Sequence, residues 1–225
     1  MSSVEHPNPA GEGLHVRDLA RRFGGRWAVA RVELRVPRGG ACMVTGPNGS
    51  GKTTLLRCVA TSLKPHHGAI TFDGIDLWKH RAEVRPRIAL LSHATRLYED
   101  LSAEGNLATW ARLGGLTADF SSLLEQVGLP SGRRDPVRTF SAGMRRRLAL
   151  ARVLLKRPDL LLLDEPFTAL DPAGRRLLLE RVRAMRDEGV TVLVATHVPD
   201  AAADLCDQRL HMESGRAARR DGARS

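Results

Sequence analysis

Apolar positions change their period several times along the chain. Leu14 to Leu19 reads as a short strand, and Trp27 to Val36 alternates well enough for a second, with "GRW" and "PRGG" as turns around it. Ala41–Thr45, Leu160–Leu163 and Val190–Ala195 are continuous apolar runs, the pattern of strands covered on both faces. "ITFDG" and "RIALLS" add two more strands, and Asp73-Gly74 is a strong turn signal. Helical spacing takes over from Thr53 to Thr61. It returns from Ala103 to Gly128 through Leu107, Leu113, Leu116, Leu123, Leu124 and Val127. Met144, Leu148, Ala151 and Leu155 follow the same spacing, and Arg175 to Met185 forms a helix between the last two apolar strands. Strands alternating with helices predict an α/β architecture. Pro130 and Pro136 bound the 103–128 region, which reads as a helical insert. No duplicated block and no low-complexity linker interrupts the pattern.

Composition narrows the picture. At 225 residues, 42% hydrophobic and 27% charged, the chain suits one domain or one domain with a subdomain. The reading is a leader over 1–12, one domain over 13–212 with its helical subdomain at about 95–157, and a polar tail over 213–225. No stretch approaches the roughly 18 consecutive apolar residues of a membrane span. Cys42, Cys58 and Cys206 lie far apart, in a pattern of neither a zinc cluster nor a disulfide framework, so a reducing cytoplasmic setting is expected. The net charge of +10 is compatible with nucleic acid or an anionic membrane surface. The arginines are dispersed, however, and the three Trp, one Tyr and five Phe form no stacking series, which disfavours single-stranded nucleic acid.

The sharpest chemistry lies at Gly46–Thr53, "GPNGSGKT", between a strand and a helix. A phosphate chain needs converging backbone N–H groups, and glycines at 46, 49 and 51 keep side chains out of the way. Pro47, Asn48, Ser50 and Thr54 complete this cradle. Lys52 is placed for the β- and γ-phosphates and Thr53 for magnesium. The second feature is Asp164 and Glu165, two acids directly after four leucines. They emerge at the C-terminal edge of a buried strand, where open α/β sheets bind ligands. Asp164 suits magnesium coordination, and Glu165 suits orienting or deprotonating a water. Taken alone, the pair also fits a helix cap with a solvated neighbour.

Further motifs carry a family resemblance over roughly residues 14 to 212. "FSAGM" (Phe140–Met144) resembles the LSGGQ signature of ATP-binding cassette ATPases, "TALD" (Thr168–Asp171) their D-loop, and "VATH" ends in His197 like their switch histidine. The resemblance implies an α/β P-loop NTPase core with an antiparallel β subdomain and a helical subdomain, using ATP and Mg2+. It implies a head-to-tail pairing, either a homodimer or with a second ABC subunit, in which Ser141 and Gly143 contact the γ-phosphate across the interface. Ser141 is explained equally well as a helix cap. Phe23 falls where the family stacks an aromatic on adenine, and a core phenylalanine is the other reading. His93 stands where the family usually has a glutamine reaching toward magnesium and water. His197 would contact the γ-phosphate. Ala142 and Met144 depart from the signature. Integral membrane permease subunits are the implied partners, at the cytoplasmic face of the membrane. Trp78, Leu97, Tyr98 and Leu101 are candidate contacts for a permease helix. The His93 stretch and "FSAGMRRRLALARVLL" most resemble the ATP-binding subunit of the haem exporter of cytochrome c biogenesis. Other small exporters, for lipids, antibiotics or sodium, share most of these motifs. A soluble cassette ATPase acting on DNA or ribosomes is the remaining alternative.

Overall fold

The computed structural model describes residues 12–218. In chain order the regular elements are β1 (Leu14–Phe23), β2 (Arg26–Val36), β3 (Ala41–Thr45), α1 (Lys52–Val59), β4 (His67–Phe72), β5 (Ile75–Asp76), α2 (Arg81–Val84) and β6 (Ile88–Leu91). There follow α3 (Ala103–Gly114), α4 (Phe120–Gln126), α5 (Ala142–Lys156), β7 (Leu160–Asp164), α6 (Pro172–Asp187), β8 (Thr191–Ala195), β9 (Gln208–Glu213) and β10 (Arg216–Ala217).

Two sheets share one core. The antiparallel sheet runs β2-β1-β4-β5, and the second runs β10-β9-β3-β8-β7-β6, parallel except at its β9–β10 edge. Side-chain alternation divides the parallel strands between two apolar clusters. Cys42, Val44, Leu160, Leu162, Leu193 and Ala195 face α1 and the antiparallel sheet. Met43, Leu161, Leu163, Val192 and Val194 face α3, α5 and α6. This is why the runs read as unbroken apolar: neither face is left to water. Each fully buried Leu or Val contributes roughly 1.5–3 kcal/mol, so the strand that carries the acids is anchored by the leucines before them.

Polar ties lock the two sheets together. Arg87 donates to Asp159 at 2.6 Å and to Asp73 at 2.8 Å, Arg38 pairs with the same two acids, and both guanidiniums lie over the Phe72 ring.

The structure differs from the sequence reading in three places. The helical region 103–128 is two helices, because Gly115 adopts a left-handed φ of 62° that ends α3 before Asp119 caps α4. Residues 208–217, unassigned by periodicity, form the β9–β10 hairpin. Its turn is Ser214-Gly215, both with positive φ, as a two-residue hairpin connection requires. The described part of the expected polar tail is therefore ordered structure: Gly215 donates to Ser50 and accepts from Ala30. Residues 1–11 of the leader and 219–225 of the tail lie outside the described residues. Among those described, no helix is long and apolar enough to cross a membrane.

Candidate functional site

The turn after β3 is tight enough to require glycine at two positions. Gly51 has φ 104°, and a Cβ there would lie 2.1 Å from the Ala28 carbonyl oxygen. Gly46 has φ 139°, with the Met212 carbonyl equally close. Gly49 is unobstructed. The helix that follows is distinctive in how it begins. Ser102, Asp119, Ser141 and Asp171 each cap a later helix by accepting an N–H bond. The first turn of α1 has no side-chain cap and no acid, so its leading amides are left for an external acceptor. Lys52 is buried beneath this turn, its ammonium donating to the carbonyls of Gly46 (2.7 Å) and Pro47 (3.0 Å). The Gly215–Ser50 bond holds the loop from behind, a support that the sequence reading missed and that the Ser-Gly dipeptide signals.

Asp164 ends β7 and is only 5% exposed. The Thr53 hydroxyl donates to it at 2.9 Å. Burial pushes the Asp164 carboxyl above its ordinary value. The Thr53 bond pulls it down, the Glu165 charge pushes it up again, and the Arg57 and Arg146 charges pull it down. A buried carboxylate beside a hydroxyl, facing an uncapped helix start, fits a hard cation that shares its ligands with phosphate oxygens. Among the described residues no group of three or more His, Cys, Asp and Glu forms an all-protein metal cage.

Glu165 follows at φ 47°, a left-handed conformation, with its N–H donating to Ala195 across to β8. His197, just past β8, meets the carboxylate: Nδ1 lies 2.8 Å from Oε2. Since a carboxylate only accepts, Nδ1 carries the proton and Nε2 is left for another group. The structure thus joins Lys52, Thr53, Asp164, Glu165 and His197 at the C-terminal edge of neighbouring parallel strands. The family resemblance implies a phosphate contact for His197; within the chain its bond is to Glu165.

Other expected residues lie apart. His93 is exposed and lines a cavity of about 320 Å³ with Ala142, Arg145, Arg146, Thr168 and Ala169. No hydrogen bond links it to Thr53 or Asp164. Ser141 and Gly143 begin α5, with Gly143 beside Ala169. No hydrogen bond joins them to the 46–54 loop. Phe23 is 51% exposed at the end of β1, with the Arg21 guanidinium 4.9 Å over its ring, so it is not a core residue. Trp27, on the facing strand, is a second exposed aromatic that the sequence reading passed over. Thr54 is half-buried in the first turn of α1.

A groove of about 810 Å³ separates the helical part from the core. Leu90, Trp110, Leu113 and Leu116 line it, and Leu113 is 67% exposed. Trp78, Leu97, Tyr98 and Leu101 do not. Leu97 packs on the core of the helical side, and Trp78 packs on the other cluster.

Residues 29–168 match the family model described as "ABC transporter". The chain belongs to the ABC transporter family. It is 40% identical over 212 residues to the daunorubicin resistance ATP-binding protein DrrA3 of Streptomyces coeruleorubidus, covering 92% of this chain and 67% of that one. It is 35% identical over 224 residues to the Nod factor export ATP-binding protein I of Ralstonia nicotianae, covering 95% and 70%. A solved ATP-binding subunit of an ABC transporter superposes with a TM-score of 0.82 at 30% identity, covering 91% of this chain and 87% of that one. The fold is the α/β P-loop ABC ATPase core with its β and helical subdomains. The chain is an ATP-hydrolysing, nucleotide-binding subunit of a membrane ABC transporter.

Proposed function

We propose that this ABC subunit drives a separate membrane permease that exports a small organic molecule, and that it works as a nucleotide-closed dimer at the cytoplasmic face. The observation that carries the ATPase chemistry is the Glu165–His197 pair beside Thr53 and Asp164. Lys52 and the free amides of α1 would hold the β- and γ-phosphates of ATP. Thr53 and Asp164 would hold Mg2+, which supplies charge neutralisation at the phosphate oxygens. Glu165 would take or orient the proton of the attacking water, and His197 would fix the Glu165 carboxylate through Nδ1 and leave Nε2 to face the terminal phosphate. Phe23 would stack on adenine. Catalysis of this kind is positioning and electrostatics rather than covalent chemistry.

The separation of Ser141 and Gly143 from the phosphate loop within one chain supports a head-to-tail dimer, in which the start of α5 would meet ATP held by the other subunit. His93, close to Ala142 and Thr168, belongs to that face. Its proposed role toward metal or water would then be exercised only after closure. Replacing Glu165 with Gln should lower turnover by about 100-fold or more, and with ATP it should trap a species of twice the chain mass in light scattering. Parent-like turnover in that variant would remove Glu165 from the mechanism.

For the cargo, the named relatives favour an exporter of drug-like or lipid-like molecules. DrrA3 is named for daunorubicin resistance and the Ralstonia protein for Nod factor export. Neither is named for haem, so the haem-export reading gives way to the broader exporter reading. Co-purified permease and ATPase in vesicles provide the test. Stimulation of hydrolysis by an anthracycline or a lipo-oligosaccharide supports the proposal. Stimulation by haem alone returns the haem exporter.

A further inference from the structure

We propose that Arg146 is a positioning residue for hydrolysis: its guanidinium fixes the main chain at Glu165 and ties it to the loop after β6. The inference rests on the reading of Glu165 as the water-activating carboxylate.

Arg146 lies on the buried stripe of α5, in register with Ala149, Leu150 and Val153, and is only 5% exposed. Every hydrogen bond it makes goes to a main-chain carbonyl. Nε donates to Pro166 at 3.2 Å, Nη1 to Ser92 at 2.5 Å, and Nη2 to Asp164 at 3.2 Å and Glu165 at 2.9 Å. No carboxylate pairs with it among the described ion pairs. Burial pushes its pKa down to about 10, so it stays charged near neutrality.

A buried cation is a poor way to stabilise a helix stripe, because desolvation outweighs the attraction of the nearby Asp164 and Glu165 charges and an apolar side chain fills the same place. Leu150 and Val153 do that one and two turns further on. What an apolar side chain lacks is the rigid fork of donors. Here the fork captures three consecutive carbonyls, 164 to 166, where the chain turns off β7. The middle one belongs to the residue with the strained φ of 47°. The Glu165 backbone is therefore pinned on both sides, by Ala195 through its N–H and by Arg146 through its carbonyl. The remaining arm of the fork holds Ser92, which lines the groove between the helical part and the core and precedes His93. One side chain connects the helix that Ser141 caps, the groove wall and the main chain of Glu165.

The test is steady-state ATPase on the full chain carrying R146K or R146Q, with E165Q in parallel. ATP affinity is read by titration in the E165Q background, where turnover does not interfere. A carboxylate misplaced by about 1 Å costs roughly 100-fold in rate. R146Q should therefore lower kcat by about 30- to 100-fold, with KM and ATP affinity within twofold of the parent. R146K, whose ammonium reaches fewer carbonyls, should fall between them and serves if R146Q does not fold. A purely packing role predicts something else: kcat and affinity falling together with the folded fraction. That result overturns the proposal, as does a folded R146K or R146Q with parent kcat. If E165Q itself turns over normally, the reading of Glu165 fails and takes this inference with it. If E165Q is inactive and both Arg146 variants are normal, only the role of Arg146 fails.

Discussion

Asp164 is held against its own preference. Burial raises its folded-state pKa, so the folded chain binds a proton more readily than the unfolded chain. Stability contributed at this residue is therefore greatest below the ordinary carboxylate range and is lost as pH rises through the raised value. Asp164→Asn removes the charge but keeps an acceptor for the Thr53 hydroxyl. Without nucleotide, its Tm should exceed that of the parent at pH 7, and the gap should close near pH 3 to 4. Each kcal/mol released is worth roughly 2–4 °C in a chain of this size. Mg·ATP should then reverse the order, stabilising the parent by binding linkage and D164N far less. Thermal melts across pH, with and without Mg·ATP, check both halves. An apo D164N that melts below the parent at pH 7 would contradict this account of the buried acid.

At the scale of elements, the phosphate loop is shaped by backbone limits rather than by side-chain contacts. Gly51→Ala must place a Cβ at φ 104° and against the Ala28 carbonyl. The backbone strain alone costs about 1–3 kcal/mol, and relief of the overlap would pull the start of α1 away from β2. The expected outcome is a lower Tm together with a loss of at least tenfold in ATP affinity. Gly49→Ala shares the positive-φ strain, at φ 80°, but a Cβ there meets nothing, so it should lose less ATP affinity. Unequal ATP binding by two equally conservative glycine substitutions is the discriminating result. These elements were also those most legible in the sequence. Ala41–Thr45 matches β3 residue for residue, and Leu160–Leu163 lacks only Asp164, because strands buried on both faces leave no polar residue to confuse the pattern. The β9 strand escaped because "QRLHME" is mostly polar, with exposed residues alternating along a strand next to the β10 edge. Arg146 escaped because a charge on a helical pattern reads as a solvated face. Its signal was positional, an arginine three, four and seven residues before Ala149, Leu150 and Val153. The Glu165–His197 pair spans two strands that become neighbours only when the sheet order is known.

For the whole molecule, the groove between the helical part and the core gathers five cations. Arg57, Arg85, Arg96, Arg152 and Lys156 line it, no acid does, and none of the five takes part in a described ion pair. Four of them crowd together. The Lys156 pKa is lowered by burial and then by Arg85 and Arg152, and that of Arg152 by burial and then by Arg96. The Arg152 guanidinium finds only the Trp110 ring, at 4.8 Å, and the Thr95 carbonyl. The Trp110 indole N–H is buried without a partner. An apolar floor under cations with no described ion pair suits an amphipathic helix with acids on one flank, so the prediction is that a permease segment docking here is acidic. The R152E/K156E double variant should bind the permease at least tenfold more weakly than the parent at low ionic strength. Raising salt should weaken the parent complex steeply and the variant complex little, since the attraction being screened has been removed. Placing lysines at the acidic positions of the permease segment should recover binding of the double variant. Association that ignores both salt and charge reversal would mean that the leucines alone carry the contact, and that the five cations have another use.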